Sequence, residues 1–74
     1  METKYAKDQL LVLSNEELMD KTKNRAVEVY TYDGRFAQLC VNDFQGFDHE
    51  RKYFYSKTEI KIEFQKVDYI KVLE

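Results

Sequence analysis

The dipeptide Asp33-Gly34 constrains the fold of this chain more than any other feature of its sequence. It lies between two runs that are rich in β-branched and aromatic residues, and Asp-Gly in that setting is the strongest short-range signal for a two-residue type I′ hairpin turn. Both central residues of that turn need a positive φ, which glycine adopts freely and aspartate tolerates. The sequence therefore predicts a β-hairpin in which Val29 faces Gln38.

In this register the hairpin carries apolar residues on both faces, whereas a sheet with one solvated side would alternate cleanly. Apolar residues on both faces suit a strongly bent strand that belongs to two halves of a small barrel. Cys40 then reads as a small core residue, and a single cysteine allows no intrachain disulfide, which fits a reducing cytosol. The two predicted faces are Val27, Val29, Phe36 and Cys40, and Tyr30, Ala37, Leu39 and Val41.

A helix is predicted before the hairpin, over residues 14–24. Ser14 and Glu17 have the spacing of a capping box, and Asn24 is a residue type that often ends a helix in the left-handed conformation. The preceding residues 1–13 are harder to assign, because periodicity does not separate a helix from a strand in so short an apolar run. We favour a short helix or an irregular arm before Asp8, with Gln9–Leu13 packed on the barrel; the alternative is that Gln9–Leu13 form a strand that covers a sheet edge.

After the hairpin the sequence predicts a connection over residues 42–50, where Gly46 lets the backbone turn, and then three more strands. Alternation is clearest from Glu59 to Phe64, and the short link that follows suits a 3₁₀ turn. The 74 residues thus form one domain with an N-terminal helix and five short strands over residues 25–73. The three later strands are Arg51–Ser56, Glu59–Phe64 and Tyr69–Leu73.

This order of elements resembles the small Sm-like and SH3-like barrels. VEVYTYDGR (27–35) resembles the opening strand and turn of an Sm motif, and GFDHERKYFY (46–55) is similar to the Sm segment that leads into the third strand. IEFQKVDYIKVL (62–73) resembles the closing strands of the YolD-like proteins, a Firmicute and phage group with an Sm-like core and no settled activity. The resemblance implies a five-stranded, strongly bent antiparallel barrel, mainly β with one N-terminal helix.

The resemblance does not extend to the uridine pocket of Sm proteins. Asp48 matches the first residue of that pocket, but Lys52 stands where the family has an asparagine. Gln65-Lys66 replaces the Arg-Gly pair that precedes the last strand. The resemblance therefore implies the Sm-like fold but not the binding of uridine.

The sequence offers no catalytic set, and we expect neither an enzyme nor a cofactor. The run Asp48-His49-Glu50 could supply a general base, but it has no nucleophile beside it and reads as a solvated loop. One cysteine and one histidine cannot provide the four ligands of a structural zinc site. The sequence contains no signal peptide or apolar span, so we expect a cytoplasmic protein without a membrane partner.

The leading hypothesis is a non-enzymatic adaptor, cytoplasmic or phage-associated, that binds a protein partner. Aromatic side chains are favoured anchors at interfaces. The six tyrosines and five phenylalanines include a group near an acidic loop. The alternative for its two phenylalanines is that they close the open end of the barrel. The predicted partner-binding residues are Phe44, Phe47, Asp48, Tyr53 and Tyr55.

The second hypothesis is a weak RNA or single-stranded DNA binder. Cations interleaved with aromatic residues compose a stacking surface for bases. In the competing interpretation the tyrosine rings are half-buried and lysine stems cover them; the nearby Glu59 and Glu63 favour this second interpretation. Association of copies through sheet edges also stays open, because the chain has no proline to block an edge. The predicted nucleic-acid residues are Arg51, Lys52, Tyr53, Lys57 and Lys61.

Overall fold

Two antiparallel sheets enclose a shared core in the computed structural model, which describes residues 2–47, 50, 52–57 and 61–73. The first sheet has the strand order β1-β7-β2-β3 and the second β4-β5-β6. The elements are β1 (Glu2–Ala6), α1 (Lys7–Val12), α2 (Asn15–Thr22), β2 (Ala26–Thr31), β3 (Phe36–Leu39), β4 (Phe44–Phe47), β5 (Tyr53–Ser56), β6 (Lys61–Glu63), a 3₁₀ turn (Phe64–Lys66) and β7 (Val67–Leu73).

The chain is therefore mainly β with a small helical part, as the sequence predicts. The described residues contain seven strands where the sequence predicts five, because β1 and β4 lie in segments predicted as an arm and a connection. Among the described residues no strand pairing joins the first sheet to the second, so these pairings do not close a barrel.

The N-terminal segment covers one edge of β7. Strand β1 runs antiparallel to β7 from Glu2 opposite Leu73 onward, which places Tyr5 opposite Ile70 and packs it against the core. The predicted helix or irregular arm before Asp8 is thus wrong for Glu2–Ala6. The alternative strand over Gln9–Leu13 is wrong as well, because helix α1 spans Lys7–Val12. Strand β1 is too short for its alternation of polar and apolar residues to identify it as a strand. It pairs with β7, which is far away in sequence.

Helix α2 forms as predicted. The Ser14 hydroxyl accepts a hydrogen bond from the amide of Glu17 at 3.1 Å, and the Glu17 carboxylate accepts one from the amide of Ser14 at 3.2 Å. Both halves of the capping box are therefore present. Asn24 takes a left-handed conformation with a φ of 61° shortly after the helix ends, which confirms its predicted role.

The hairpin forms, but its register is one residue away from the prediction. Val29 lies opposite Ala37 rather than Gln38, and Tyr30 lies opposite Phe36. The loop has three residues, 32–34, and within it only Gly34 has a positive φ, at 85°. A type I turn followed by a left-handed glycine gives this loop, so the predicted type I′ turn is wrong.

The side chain of Asp33 explains the longer loop. Its carboxylate accepts hydrogen bonds from the Thr31 hydroxyl and, at 3.2 Å, from the amide of Arg35. The ladder then closes outside the loop, where the amide of Thr31 donates to the carbonyl of Arg35 at 2.9 Å. Aspartate stabilises turns by bonding its own backbone two residues on, and here that bond favours the three-residue loop.

A register change of one residue reverses which side chains of a strand face the core. On β3 it buries Leu39, which is 1% exposed, and turns Phe36 outward, where 55% of it is exposed. The prediction that Phe36 shares one face of the hairpin with Val27 and Val29 is therefore wrong. Cys40 follows the end of β3 and is exposed, so its predicted place in the core is wrong as well.

One hydrophobic core draws on both helices and both sheets. Its aromatic part lies in the second sheet, where the ring centroids of Phe47 and Phe54 are 4.4 Å apart. Its aliphatic part comes from the first sheet and the two helices. The buried residues are Leu10, Leu18, Val27, Val29, Leu39, Phe44, Phe47, Phe54, Phe64, Val67, Ile70 and Val72.

Candidate functional site

Two of the predicted partner-binding residues are core residues. Phe44 is 2% exposed and Phe47 is 5% exposed. Both rings contact Phe54, and the Phe47 ring meets the edge of Phe64 at a centroid distance of 4.8 Å. Neither phenylalanine is an exposed anchor, because both rings pack in the core. Asp48 lies outside the described residues.

The tyrosines on β5 are half-buried, and the lysines near them already have contacts. The ammonium group of Lys61 lies 3.9 Å from the ring centroid of Tyr53, and Lys52 forms an ion pair with Glu50 at 3.1 Å. Tyr55 lies beside Tyr53, with 6.4 Å between the ring centroids. The ring of Tyr53 is therefore contacted by the ammonium of Lys61, and half-buried tyrosines are what the competing interpretation of these residues expects.

The remaining predicted site residues give no further cluster. Lys57 is exposed after the end of β5, while Arg51 and His49 lie outside the described residues. No group of three or more potential metal ligands occurs in the part of the chain that the structure describes. Within the same part of the chain, neither helix has the length and apolar composition to cross a membrane.

Three aromatic rings form a column on the outer face of the first sheet. The sequence did not predict this column. Tyr69 of β7, Tyr30 of β2 and Phe36 of β3 lie side by side across the strands. The centroids of Tyr69 and Tyr30 are 4.6 Å apart with ring planes 12° apart, and those of Tyr30 and Phe36 are 5.2 Å apart with planes at 23°. We call these three rings the aromatic column.

Two lysines contact the aromatic column. The ammonium of Lys4 lies 4.1 Å from the centroid of Tyr69, and it covers the end of the column that is nearer to β1. The ammonium of Lys71 lies 5.2 Å from the centroid of Tyr30 and forms an ion pair with Glu2 at 3.4 Å. The carboxylate of Glu2 raises the pKa of Lys71, so this lysine stays charged.

A carboxylate also adjoins the aromatic column. The Tyr30 hydroxyl donates a hydrogen bond to the carboxylate of Glu28 at 3.1 Å. Desolvation, together with this bond and the charge of Glu28, raises the pKa of Tyr30. The hydroxyl is therefore held as a donor, and the ring keeps its place in the column.

The other end of the aromatic column is open. One face of Phe36 lies against Tyr30, and 55% of the residue is exposed. A large aromatic side chain with one ring face open at the edge of a sheet is a ready contact for a planar or cationic group.

The edges of the two sheets differ in how they are protected against pairing with another chain. Strand β1 carries Glu2 and Lys4, and β6 carries Lys61 and Glu63. Charged residues on an edge strand disfavour pairing with another strand. Both of these edges therefore have an electrostatic block.

The edge of β4 is covered by the first residue of α2. The side-chain amide of Asn15 donates to the carbonyl of Phe47 at 2.9 Å, and its side-chain oxygen accepts from the amide of Phe47 at 3.0 Å. One side chain thus takes both backbone groups that another strand would need. Helix α2 packs beside this strand, where the sulfur of Met19 lies close to Gly46.

Strand β3 has neither kind of protection. Its four residues, FAQL, carry no charge, and β2 is its only strand partner among the described residues. Backbone groups alternate in direction along an antiparallel strand, and the bond from Thr31 to Arg35 fixes the phase. The N–H and C=O groups of Phe36 and Gln38 therefore point away from β2 toward the open edge.

The candidate site is thus the β3 edge together with the open ring of Phe36. Composition alone could not reveal it, because only the register shows which aromatic residues point outward. None of the protein-family models, curated proteins or solved structures compared with this chain shows a significant match to it.

Proposed function

We propose that this chain is a small non-enzymatic adaptor that binds an extended segment of a protein partner as an additional strand along β3. The observation that carries the proposal is the contrast between the edges: β1 and β6 are charged, β4 is covered by Asn15, and β3 is uncharged and open. In strand addition the backbone hydrogen bonds supply affinity, and side-chain contacts on alternate residues supply specificity.

We further propose that the fold is of the Sm-like and SH3-like type, related to the YolD-like proteins. Helix α2 is followed by strands that include the hairpin, then by a 3₁₀ turn before the last strand, and β7 pairs with β2. Only residues 40–43 separate β3 from β4, and in this proposal the two strands are the two halves of one bent strand. This order supports the relationship without requiring a uridine pocket.

A proline at the edge tests the strand-addition proposal. Peptides are first selected from a random display library on the full chain, and their affinities are then compared for the Gln38→Pro and Gln38→Ala variants. Gln38→Pro removes an amide that faces the open edge, where proline is tolerated, whereas Gln38→Ala keeps that amide. We expect Gln38→Pro to weaken binding roughly tenfold, because blocked pairing and a lost backbone bond together reach about 1.4 kcal/mol.

Circular dichroism spectra that match the wild type would show that both variants are folded. Equal affinity of the selected peptides for the proline and alanine variants would contradict strand addition. So would a library selection that yields no peptide at all.

Single-stranded nucleic acid is the second candidate function, but the geometry favours it less. The ring of Tyr53 is covered by Lys61, and the charge of Lys52 is balanced by Glu50. A chain with a net charge of −2 also lacks the positive field on which non-specific nucleic-acid binding depends.

A further inference from the structure

We propose that the strand bound at β3 places an arginine side chain against the open face of Phe36. This inference rests on the proposed function and names the chemistry of the partner. The occupant is an extended basic segment of another protein, in which the residue directly opposite Phe36 is an arginine.

The spacing of the aromatic column defines where the next side chain would lie. Its centroid separations of 4.6 and 5.2 Å match the distance between neighbouring strands, about 4.8 Å. The rings therefore stand on directly opposite residues of adjacent strands and face one another. A strand paired with β3 continues this row, and its residue opposite Phe36 lies over the open ring face.

The contacts of the aromatic column favour a cation in that place. The end of the column at Tyr69 is already covered by the ammonium of Lys4, and Lys71 contacts the middle ring. Aromatic faces carry negative potential and attract cations. Among cationic side chains the arginine guanidinium is planar, stays charged and stacks on a ring as another ring would.

The charges beside β3 favour the same choice. Glu28 lies opposite Gln38 on the outer face, and its carboxylate accepts a hydrogen bond from the hydroxyl of Tyr30. Lys71 lies opposite Glu28 on the other side, in β7, and forms its ion pair with Glu2 rather than with Glu28. The residue opposite Phe36 on an added strand lies two strand spacings across and two residues along from Glu28, roughly 12 Å away, so this carboxylate would favour an arginine there through its charge and not through a direct contact.

Synthetic peptides with strictly alternating sequences test the inference. Peptides of threonine alternating with arginine, lysine, tyrosine or glutamate are titrated into the full wild-type chain, and affinity is read from amide chemical shifts of β3. We expect the threonine–arginine peptide to bind about two- to fivefold more tightly than the threonine–lysine peptide. This preference should vanish in Phe36→Leu, which keeps an apolar side chain, and persist in Phe36→Tyr, which keeps the ring.

Several results would overturn the arginine inference. If all four peptides bind equally to the wild type but not to Gln38→Pro, strand addition stands and the arginine does not. Tightest binding of the threonine–tyrosine peptide would assign the face to an aromatic residue instead.

Other occupants have their own signatures, and each would also overturn the inference. Self-association that light scattering detects in the wild type but not in Gln38→Pro would make a second copy of this chain the occupant. Chemical-shift changes at Phe36 with a single-stranded oligonucleotide, but with no peptide, would assign the face to a base. If peptides ignore Gln38→Pro altogether, the proposed function itself fails.

Discussion

The side chain of Asn15 closes one edge of a sheet by itself. Its two hydrogen bonds with the backbone of Phe47 are partly buried and join residues that are 32 positions apart in sequence. Unmade backbone bonds in such a place keep their full desolvation cost. This residue therefore contributes both to stability and to the protection of β4 from pairing.

Replacing Asn15 should show this contribution directly. We expect Asn15→Ala to lower the free energy of unfolding by about 1–3 kcal/mol, since it removes two partly buried hydrogen bonds to the backbone of Phe47. Gln9→Ala is a matched control, because Gln9 also bonds a backbone amide, that of Ala6 at 2.8 Å, but in an exposed position. Urea denaturation measures both, and an equal or smaller loss in Asn15→Ala would contradict the assigned role.

The phenol of Tyr30 gives a prediction about pH. Desolvation and Glu28 raise its pKa above the ordinary value of 10.0. A pKa that is raised by folding adds stability below the unfolded value, and that stability is lost as pH rises through the folded pKa. The difference in tyrosinate absorbance between wild type and Tyr30→Phe should therefore have a midpoint above pH 10.0. A midpoint at or below that pH would show that the tyrosine is not perturbed.

Single residues also show what the sequence could and could not predict. Ser14 and Glu17 each form a hydrogen bond with the other's backbone amide within one helical turn. The sequence alone could therefore predict this capping box. Phe44, Phe47 and Phe36 are the same type of residue, but the first two are buried in the core and the third is exposed on the surface. Their burial depends on pairings with distant strands, which local sequence does not contain.

At the scale of elements, the hairpin shows how a strong local signal can leave the register open. Asp33-Gly34 predicts the position of the turn correctly but not its type. Both a two-residue and a three-residue loop can place the glycine at a position that needs a positive φ. The hydrogen bonds of the Asp33 carboxylate decide between them, and that choice turns Phe36 outward. The candidate site was missed for this reason, because it exists in only one of the two registers.

Strand β3 gives a prediction of its own about backbone exchange. The amides of Phe36 and Gln38 face the open edge, whereas those of Ala37 and Leu39 face β2. In the free chain we expect amide hydrogens of the first pair to exchange with solvent much faster than those of the second pair. Residue-resolved hydrogen exchange by NMR measures this, with β2 as the internal reference. Similar protection of all four amides would mean that the edge is already covered.

The proposed function depends mainly on which edges of the two sheets are open. Helix α2 protects β4, and β1 covers β7 while presenting its own charged residues outward. The sequence could not reveal these roles, because β1 is recognisable as a strand only from its pairing with β7. The other edges are charged or covered, so β3 is the edge at which the proposed function places a strand of another chain.

At the scale of the whole molecule, the two sheets depend on one core rather than on strand pairing with each other. Leu39 of the first sheet and Phe44 of the second belong to the same buried cluster, although only residues 40–43 connect their strands. A chain of this length gains on the order of 4–11 kcal/mol from folding in total. Because both sheets contribute side chains to this one buried cluster, we expect the molecule to unfold as one unit.

A change in the second sheet should therefore weaken the first sheet as well. Phe54 of β5 is 1% exposed and contacts Phe44, Phe47 and Phe64. Phe54→Leu should lower the free energy of unfolding by about 1–2 kcal/mol, because it leaves a partly filled cavity in this cluster. Native-state hydrogen exchange should then show the same loss for Val27 and Val29 in β2 as for the amides of β5. If β2 keeps its wild-type protection while β5 loses it, the second sheet opens independently, and the shared core is not what holds the two sheets together.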